Sequence, residues 1–110
     1  MTEEQKETCH QIALYFGLES QAGKTVEENI ELSHALIRFI EGKIPPTEMY
    51  AVLEEIADVS IMLEQLIFLL DCKDEIKALI SYKLERTTSL IENEWSEILQ
   101  EAKMDGEENC

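Results

Sequence analysis

The scarcity of chain-breaking residues is the feature that most limits the fold of this chain. Its 110 residues include four Gly and two Pro, and the prolines are adjacent at Pro45 and Pro46. With so few turn signals, long helices are favoured over a β fold of many short strands. Hydrophobic residues make up 45% of the sequence, which is enough for one packed core. The sequence therefore predicts a single all-α domain.

Breaks in the apolar periodicity predict four helices. They run from about residue 3 to 16, from after 20 to 40, from about 48 to 70, and from 71 or 74 to about 102. Ser20 and Thr47 are the expected N-caps of the second and third helices. Short connections favour antiparallel neighbours, so we expect a four-helix bundle subunit over residues 1–103. Residues 104–110 are expected to form a flexible acidic tail.

The third predicted helix is apolar on nearly every side from Val59 to Leu70. A helix in a small bundle normally keeps one polar face for water. A second copy of the chain across a two-fold axis is the simplest cover for the surplus apolar surface. The sequence therefore predicts a homo-oligomer; the alternative is a central helix wrapped by the other three.

The charge balance limits the partners and the compartment. Twenty-four acidic residues against nine Lys and Arg give a formal charge of −15. Such a chain is not expected to bind nucleic acid or an anionic membrane, because both need cationic side chains. The most apolar run, Ile61 to Leu70, is too short to span a bilayer. Three unpaired cysteines and no secretory signal predict a cytoplasmic protein.

Acidic side chains occur in pairs on two successive helices. Glu28 and Glu31 are one turn apart on the second helix, and Glu55 and Asp58 are one turn apart on the third. Glu27 falls within the same arc of about 100° as the first pair. If the two helices pack antiparallel, four carboxylates face one another and repel. Oxygen ligands of this kind suit a hard cation, Mg²⁺ or Mn²⁺, which also accepts substrate phosphate.

These motifs resemble a known family. Glu28-x-x-Glu31, then 23 intervening residues, then Glu55-x-x-Asp58 is similar to the ExxE…ExxD signature of the MazG-like, all-α nucleoside triphosphate pyrophosphohydrolases. The residues leading into the first motif also match, namely Tyr15, Gly17, Gln21 and Lys24. The resemblance covers about residues 12–86.

The resemblance implies a Mg²⁺-dependent hydrolase that converts a (d)NTP to (d)NMP and pyrophosphate in nucleotide-pool house-cleaning, with Mn²⁺ as a substitute. The implied metal ligands are Glu28, Glu31, Glu55 and Asp58. Glu27 is implied to orient a ligand or a water, so Glu27 and Glu28 are the expected catalytic residues. Family members are dimers or tetramers of four-helix subunits, which implies a homodimer or homotetramer here.

Cationic and amide side chains are candidates for substrate binding. Lys83 and Arg86 resemble a K-x-x-R-like patch of the family, and the alternative is that both are surface charges on the fourth helix. Lys24 has the same two interpretations, and Gln21 is a candidate for contacting the nucleobase edge. The neighbouring aromatics Tyr15 and Phe16 are expected to pack in the core.

Other functions remain open from the sequence. A phosphoribosyl-ATP pyrophosphohydrolase shares the K-x-x-E-E-x-x-E pattern. A non-catalytic helical dimerisation or adaptor module with an acidic face is a second alternative. A redox-metal bundle is a third, suggested by Glu31-x-x-His34, but that class needs a second Glu-x-x-His motif.

Overall fold

The computed structural model describes residues 1–42 and 49–108, and the regular secondary structure there is helical. Its helices are α1 (Glu3–Phe16), α2 (Leu18–Ile40), α3 (Met49–Leu69) and α4 (Lys73–Glu108). The all-α prediction is thereby confirmed. The predicted N-cap Thr47 lies outside the described residues. Within those residues, every helix is too short or too polar to cross a membrane.

The chain forms two compact units, Met1–Lys73 and Asp74–Cys110. In the first unit, α3 packs against both α1 and α2. Gln21 of α2 bonds to Gln65 of α3, whereas Glu28, further along α2, lies beside Glu55, earlier on α3. As the residue number rises along α2, the number of the neighbouring residue on α3 therefore falls. The two helices run antiparallel, as the short connection between them predicts.

Gly17 joins α1 to α2 without a loop. Its N–H donates to the Ala13 carbonyl at 2.8 Å, and its own carbonyl accepts from the Gln21 N–H at 3.0 Å. The residue has φ 88° and ψ 167°, a conformation that is essentially restricted to glycine. Because one glycine serves as the cap of both helices, α2 begins at Leu18. The prediction of Ser20 as the N-cap was therefore wrong.

Replacing Gly17 by Ala should destabilise the fold by about 1–3 kcal/mol, the cost of holding a non-glycine residue in this conformation. A Cβ at this position would meet no atom within 4 Å, so the loss is one of backbone strain alone. Gly23, inside α2, has equally open space around it, and Gly23→Ala should stabilise by about 0.5–1 kcal/mol. Urea unfolding of the two variants measures both effects, and equal stability of Gly17→Ala and wild type would contradict this account.

The interior of the first unit is unusually polar. Its buried apolar side chains are Cys9, Ala13, Val52, Val59 and Met62. Its buried polar side chains are Gln21, Thr25, Glu28 and Gln65. Nearly half of these interior positions therefore carry groups that need hydrogen bonds or counter-charges. Such groups are usually present in an interior for a reason other than packing.

Helix α1 meets α3 through a histidine that the sequence did not connect to any partner. His10 Nε2 lies 3.2 Å from Glu64 Oε1, and its ring stacks on Phe68 with centroids 4.1 Å apart. Next to it, burial and the charge of Glu64 raise the pKa of the Cys9 thiol. Cys9 is buried and thus packs as a small hydrophobic residue.

Large apolar side chains remain exposed on several helices. Tyr15 and Phe16 are 83% and 55% exposed, so the prediction that both pack in the core was wrong. Both lie in the last turn of α1. On α4, Leu84, Ile91 and Trp95 follow one another at steps of seven and four residues and are also exposed, and we call them the apolar stripe of α4.

Candidate metal centre

Three carboxylates from two helices converge in the first unit. Glu28 and Glu31 lie one turn apart on α2, and Glu55 comes from α3. One carboxylate oxygen from each lies within 4.8 Å of the others. We call Glu28, Glu31 and Glu55 the acidic triad. The antiparallel packing of α2 on α3 brings them together, because the acidic turn of α2 lies beside the acidic turn of α3.

Two oxygens of the acidic triad are buried without a partner. Glu28 is only 7% exposed, and its Oε2 has no hydrogen-bond partner among the described residues. The same is true of Oε2 of Glu55. A buried carboxylate oxygen without a donor costs free energy, since its hydration is lost and not replaced. Glu31 is exposed and leaves the cluster open to solvent on one side.

Glu55 bears the electrostatic cost of this arrangement. Burial raises the pKa of its carboxyl, and the negative charges of Glu31, Asp58 and Glu28 raise it further. The ionised form of Glu55 is therefore disfavoured in the folded chain. A bound cation would remove this penalty, because it favours the ionised carboxylates.

Glu55→Gln should raise the stability of the cation-free protein at neutral pH. The pKa of the Glu55 carboxyl is raised in the folded chain from its ordinary value of 4.5. Such a group stabilises the fold at pH values below 4.5, and this stabilisation is lost as the pH rises through the pKa of the folded state. The gain in melting temperature should therefore be largest near pH 7 in chelator and should shrink as the pH falls below 4.5. Glu54→Gln, an exposed neighbour on α3, is the control and should show a smaller gain. An equal gain in both variants would contradict the pKa shift.

Lys24 links the acidic triad to its surroundings on α2. Its Nζ lies 3.2 Å from Glu28 Oε1 and 3.5 Å from Glu27 Oε2. The hydrogen bond to Glu28 and the charges of Glu28 and Glu27 raise the pKa of the Lys24 ammonium. Lys24 thus holds Oε1 of Glu28, while Oε2 is buried without a hydrogen-bond partner among the described residues. Glu27 is exposed on the outer side of this pair.

The remaining predicted site residues are distributed less tightly. Asp58 is exposed and is not one of the three residues whose oxygens meet, although its charge acts on Glu55. Three of the four predicted ligands, Glu28, Glu31 and Glu55, therefore lie together. Lys83 and Arg86 lie on α4 in the second unit, where both are exposed. Their part in substrate binding stays a prediction.

Gln21 is 5% exposed and is paired with Gln65, which belongs to none of the sequence motifs. Its Nε2 donates to Oε1 of Gln65 at 2.7 Å, and Gln65 is only 2% exposed. One signal for Gln65 was present in the sequence. It is a polar residue inside the most apolar run of the chain, where a buried amide needs a specific partner.

Comparison with known proteins adds no assignment to this geometry. No protein-family model, no curated protein and no solved structure matches the chain. The case for a function therefore depends on the acidic triad, its two unpartnered oxygens and the sequence motifs.

Proposed function

We propose that the chain is a Mg²⁺-dependent nucleotide pyrophosphohydrolase that converts a (d)NTP and water to a (d)NMP and pyrophosphate. The observation that carries the proposal is the pair of buried, unpartnered oxygens of Glu28 and Glu55, held together by two helices. Natural proteins rarely leave such oxygens unsatisfied, and a site for a cation explains them. The order and spacing of the two acidic motifs, which resemble those of the MazG-like family, support the choice of reaction.

The donor set fits a hard divalent ion. All three members of the acidic triad offer carboxylate oxygens within 4.8 Å of one another, and Mg²⁺ prefers oxygen ligands at about 2.0–2.1 Å. Three carboxylates with Glu31 open to solvent do not form a closed cage. An open site of this kind suits a catalytic ion that also contacts substrate phosphates. We propose Asp58 as a further ligand on the exposed side, with Mn²⁺ as a substitute ion.

The side chains around the triad have distinct proposed roles. Bound Mg²⁺ would neutralise phosphate charge and polarise the phosphorus that is attacked. Lys24 holds Glu28 in place by occupying its other oxygen at 3.2 Å. Glu27 is exposed beside Lys24 and is the candidate to orient the attacking water and take its proton.

We further propose that the chain acts as a homodimer or homotetramer of four-helix subunits. The exposed apolar side chains of α4 support this, since Leu84, Ile91 and Trp95 are each about half exposed or more. So do Ile37, Phe39 and Ile40 near the end of α2. Exposed apolar surface on this scale is typical of faces that other chains cover.

Release of pyrophosphate and monophosphate from a panel of canonical and modified (d)NTPs tests the reaction. We expect equal amounts of both products from one or a few substrates with Mg²⁺, and none with chelator. Orthophosphate and diphosphate products would contradict the proposed bond cleavage. A folded, Mg²⁺-binding protein that releases no pyrophosphate from any substrate of the panel would contradict the proposed substrate class.

A further inference from the structure

A pocket adjoins the acidic triad in the first unit. It has a volume of about 560 Å³ and lies between the end of α1, the start of α2 and the middle of α3. Ile12, Phe16 and Met62 supply apolar walls, and the lining also includes Lys24, which bonds to Glu28 of the triad. Its size is within the ordinary range for a small-molecule site.

The polar groups of the pocket are the amides of Gln21 and Gln65, which we call the amide pair. Both line the pocket, and each is at least 95% buried. Gln21 Nε2 donates to Gln65 Oε1 at 2.7 Å, so each amide fixes the orientation of the other. This leaves Nε2 of Gln65, whose contact is the Met62 sulfur at 3.9 Å, and Oε1 of Gln21, which accepts from Ser20 Oγ at 3.3 Å.

These remaining contacts are weak. A thioether sulfur is a poor acceptor, and an amide NH₂ has two protons to donate. The amide pair therefore leaves one donor, Nε2 of Gln65, and one acceptor, Oε1 of Gln21, without a strong partner in a partly apolar pocket. A matching ligand is a flat group that carries both an acceptor and a donor, as the hydrogen-bonding edge of a nitrogen heterocycle does.

Charge determines which part of a nucleotide fits here. The ammonium of Lys24 is already shared between Glu27 and Glu28, and Glu19 adds a further negative charge to the lining. A phosphate would be repelled from this pocket, whereas a neutral ring would not. The ring of Phe16, 55% exposed at the pocket, offers an aromatic face for stacking.

We propose that this pocket binds the nucleobase of the substrate, with the amide pair contacting its hydrogen-bonding edge and Phe16 stacking on its face. Naming the ligand a nucleobase rests on the proposed function. Gln65 is then a specificity-determining residue, and Gln21 contacts the base in an orientation that Gln65 imposes. The base would lie beside the acidic triad, which leaves the phosphates to the metal centre.

Binding of deoxynucleosides, which carry no phosphate, tests the pocket apart from the reaction. Each of the four deoxynucleosides is titrated in chelator into the wild-type protein and followed by amide chemical shifts in NMR. We expect saturable binding of at least one of them, with shifts at Gln21 and Gln65. Glu54→Gln, an exposed change on α3 outside the pocket lining, should bind it equally well. Gln65→Leu should weaken it about tenfold or more, since an unpaired buried amide remains.

A second pair of variants distinguishes a loss of nucleoside binding from a loss of the fold. Phe16→Ala removes a half-exposed ring and should weaken nucleoside binding about tenfold, whereas Leu14→Ala, exposed on α1 and outside the pocket lining, should not. Absence of nucleoside binding to wild type, or equal binding to wild type and both pocket variants, would overturn the pocket even if pyrophosphate is released. Nucleoside binding without pyrophosphate release would support the pocket and refute the proposed reaction.

Discussion

Glu28→Gln is expected to lower pyrophosphate release by about 100-fold or more while the protein stays folded. The substitution keeps the size of the side chain and an oxygen that can accept from Lys24, but it removes the negative charge at the most buried position of the acidic triad. Melting in chelator should show a stability equal to or above that of wild type, because an unpartnered buried oxygen of a charged group is lost. Initial rates with Mg²⁺ and melting in chelator measure the two effects.

Glu54→Gln is the matched control for this variant. It removes one negative charge from α3 next to Glu55, but Glu54 is exposed and is not a member of the triad. Its rate should stay within about twofold of wild type, since surface charges act weakly through water. Full activity of Glu28→Gln, or an equal loss in both variants, would contradict a catalytic role for the triad.

Ile91→Asp is expected to convert the protein to a species with the mass of one chain, 12.7 kDa. Ile91 lies in the apolar stripe of α4 and is 48% exposed in the chain. If a second copy covers the stripe, the variant must bury an unpaired carboxylate there, which should weaken association by about 100-fold or more. Wild type should have at least twice that mass in light scattering after size-exclusion chromatography.

Ser89→Asp provides the control for association. It introduces the same charge two residues earlier on α4, about 160° around the helix from Ile91 at 100° per residue. This variant should keep the mass of wild type. A wild-type protein with the mass of a single chain at all concentrations would contradict self-association outright.

Most helix boundaries were predictable because their signals are local, but α4 continues to Glu108, past the predicted end near residue 102 and into the segment expected to be a flexible tail. Gly17 ends α1 as expected, and periodicity placed α3 to within a residue or two. The prediction of Ser20 as an N-cap failed because Gly17, in a conformation that favours glycine, already begins α2 at Leu18. The prediction that Tyr15 and Phe16 are buried failed because hydrophobicity alone does not show whether a neighbouring element covers a side chain.

The candidate metal centre was predictable in part for the same reason. A one-turn spacing is visible in the sequence, so the meeting of Glu28 and Glu31 with Glu55 followed from antiparallel packing. The different exposure of Asp58 depends on how α3 is rotated against α2, which a motif does not encode. The amide pair joins residues 44 positions apart, and neither amide has a local signal for the other.

The most direct test of the central claim is a titration of the protein with Mn²⁺, followed by the electron paramagnetic resonance signal of the free ion. We predict saturable loss of the free-ion signal in wild type and in Glu54→Gln, competition by Mg²⁺, and at least about tenfold weaker binding in Glu28→Gln. Mn²⁺ that stays free in the presence of wild type, or that binds Glu28→Gln as tightly, would show that the acidic triad is not a metal centre.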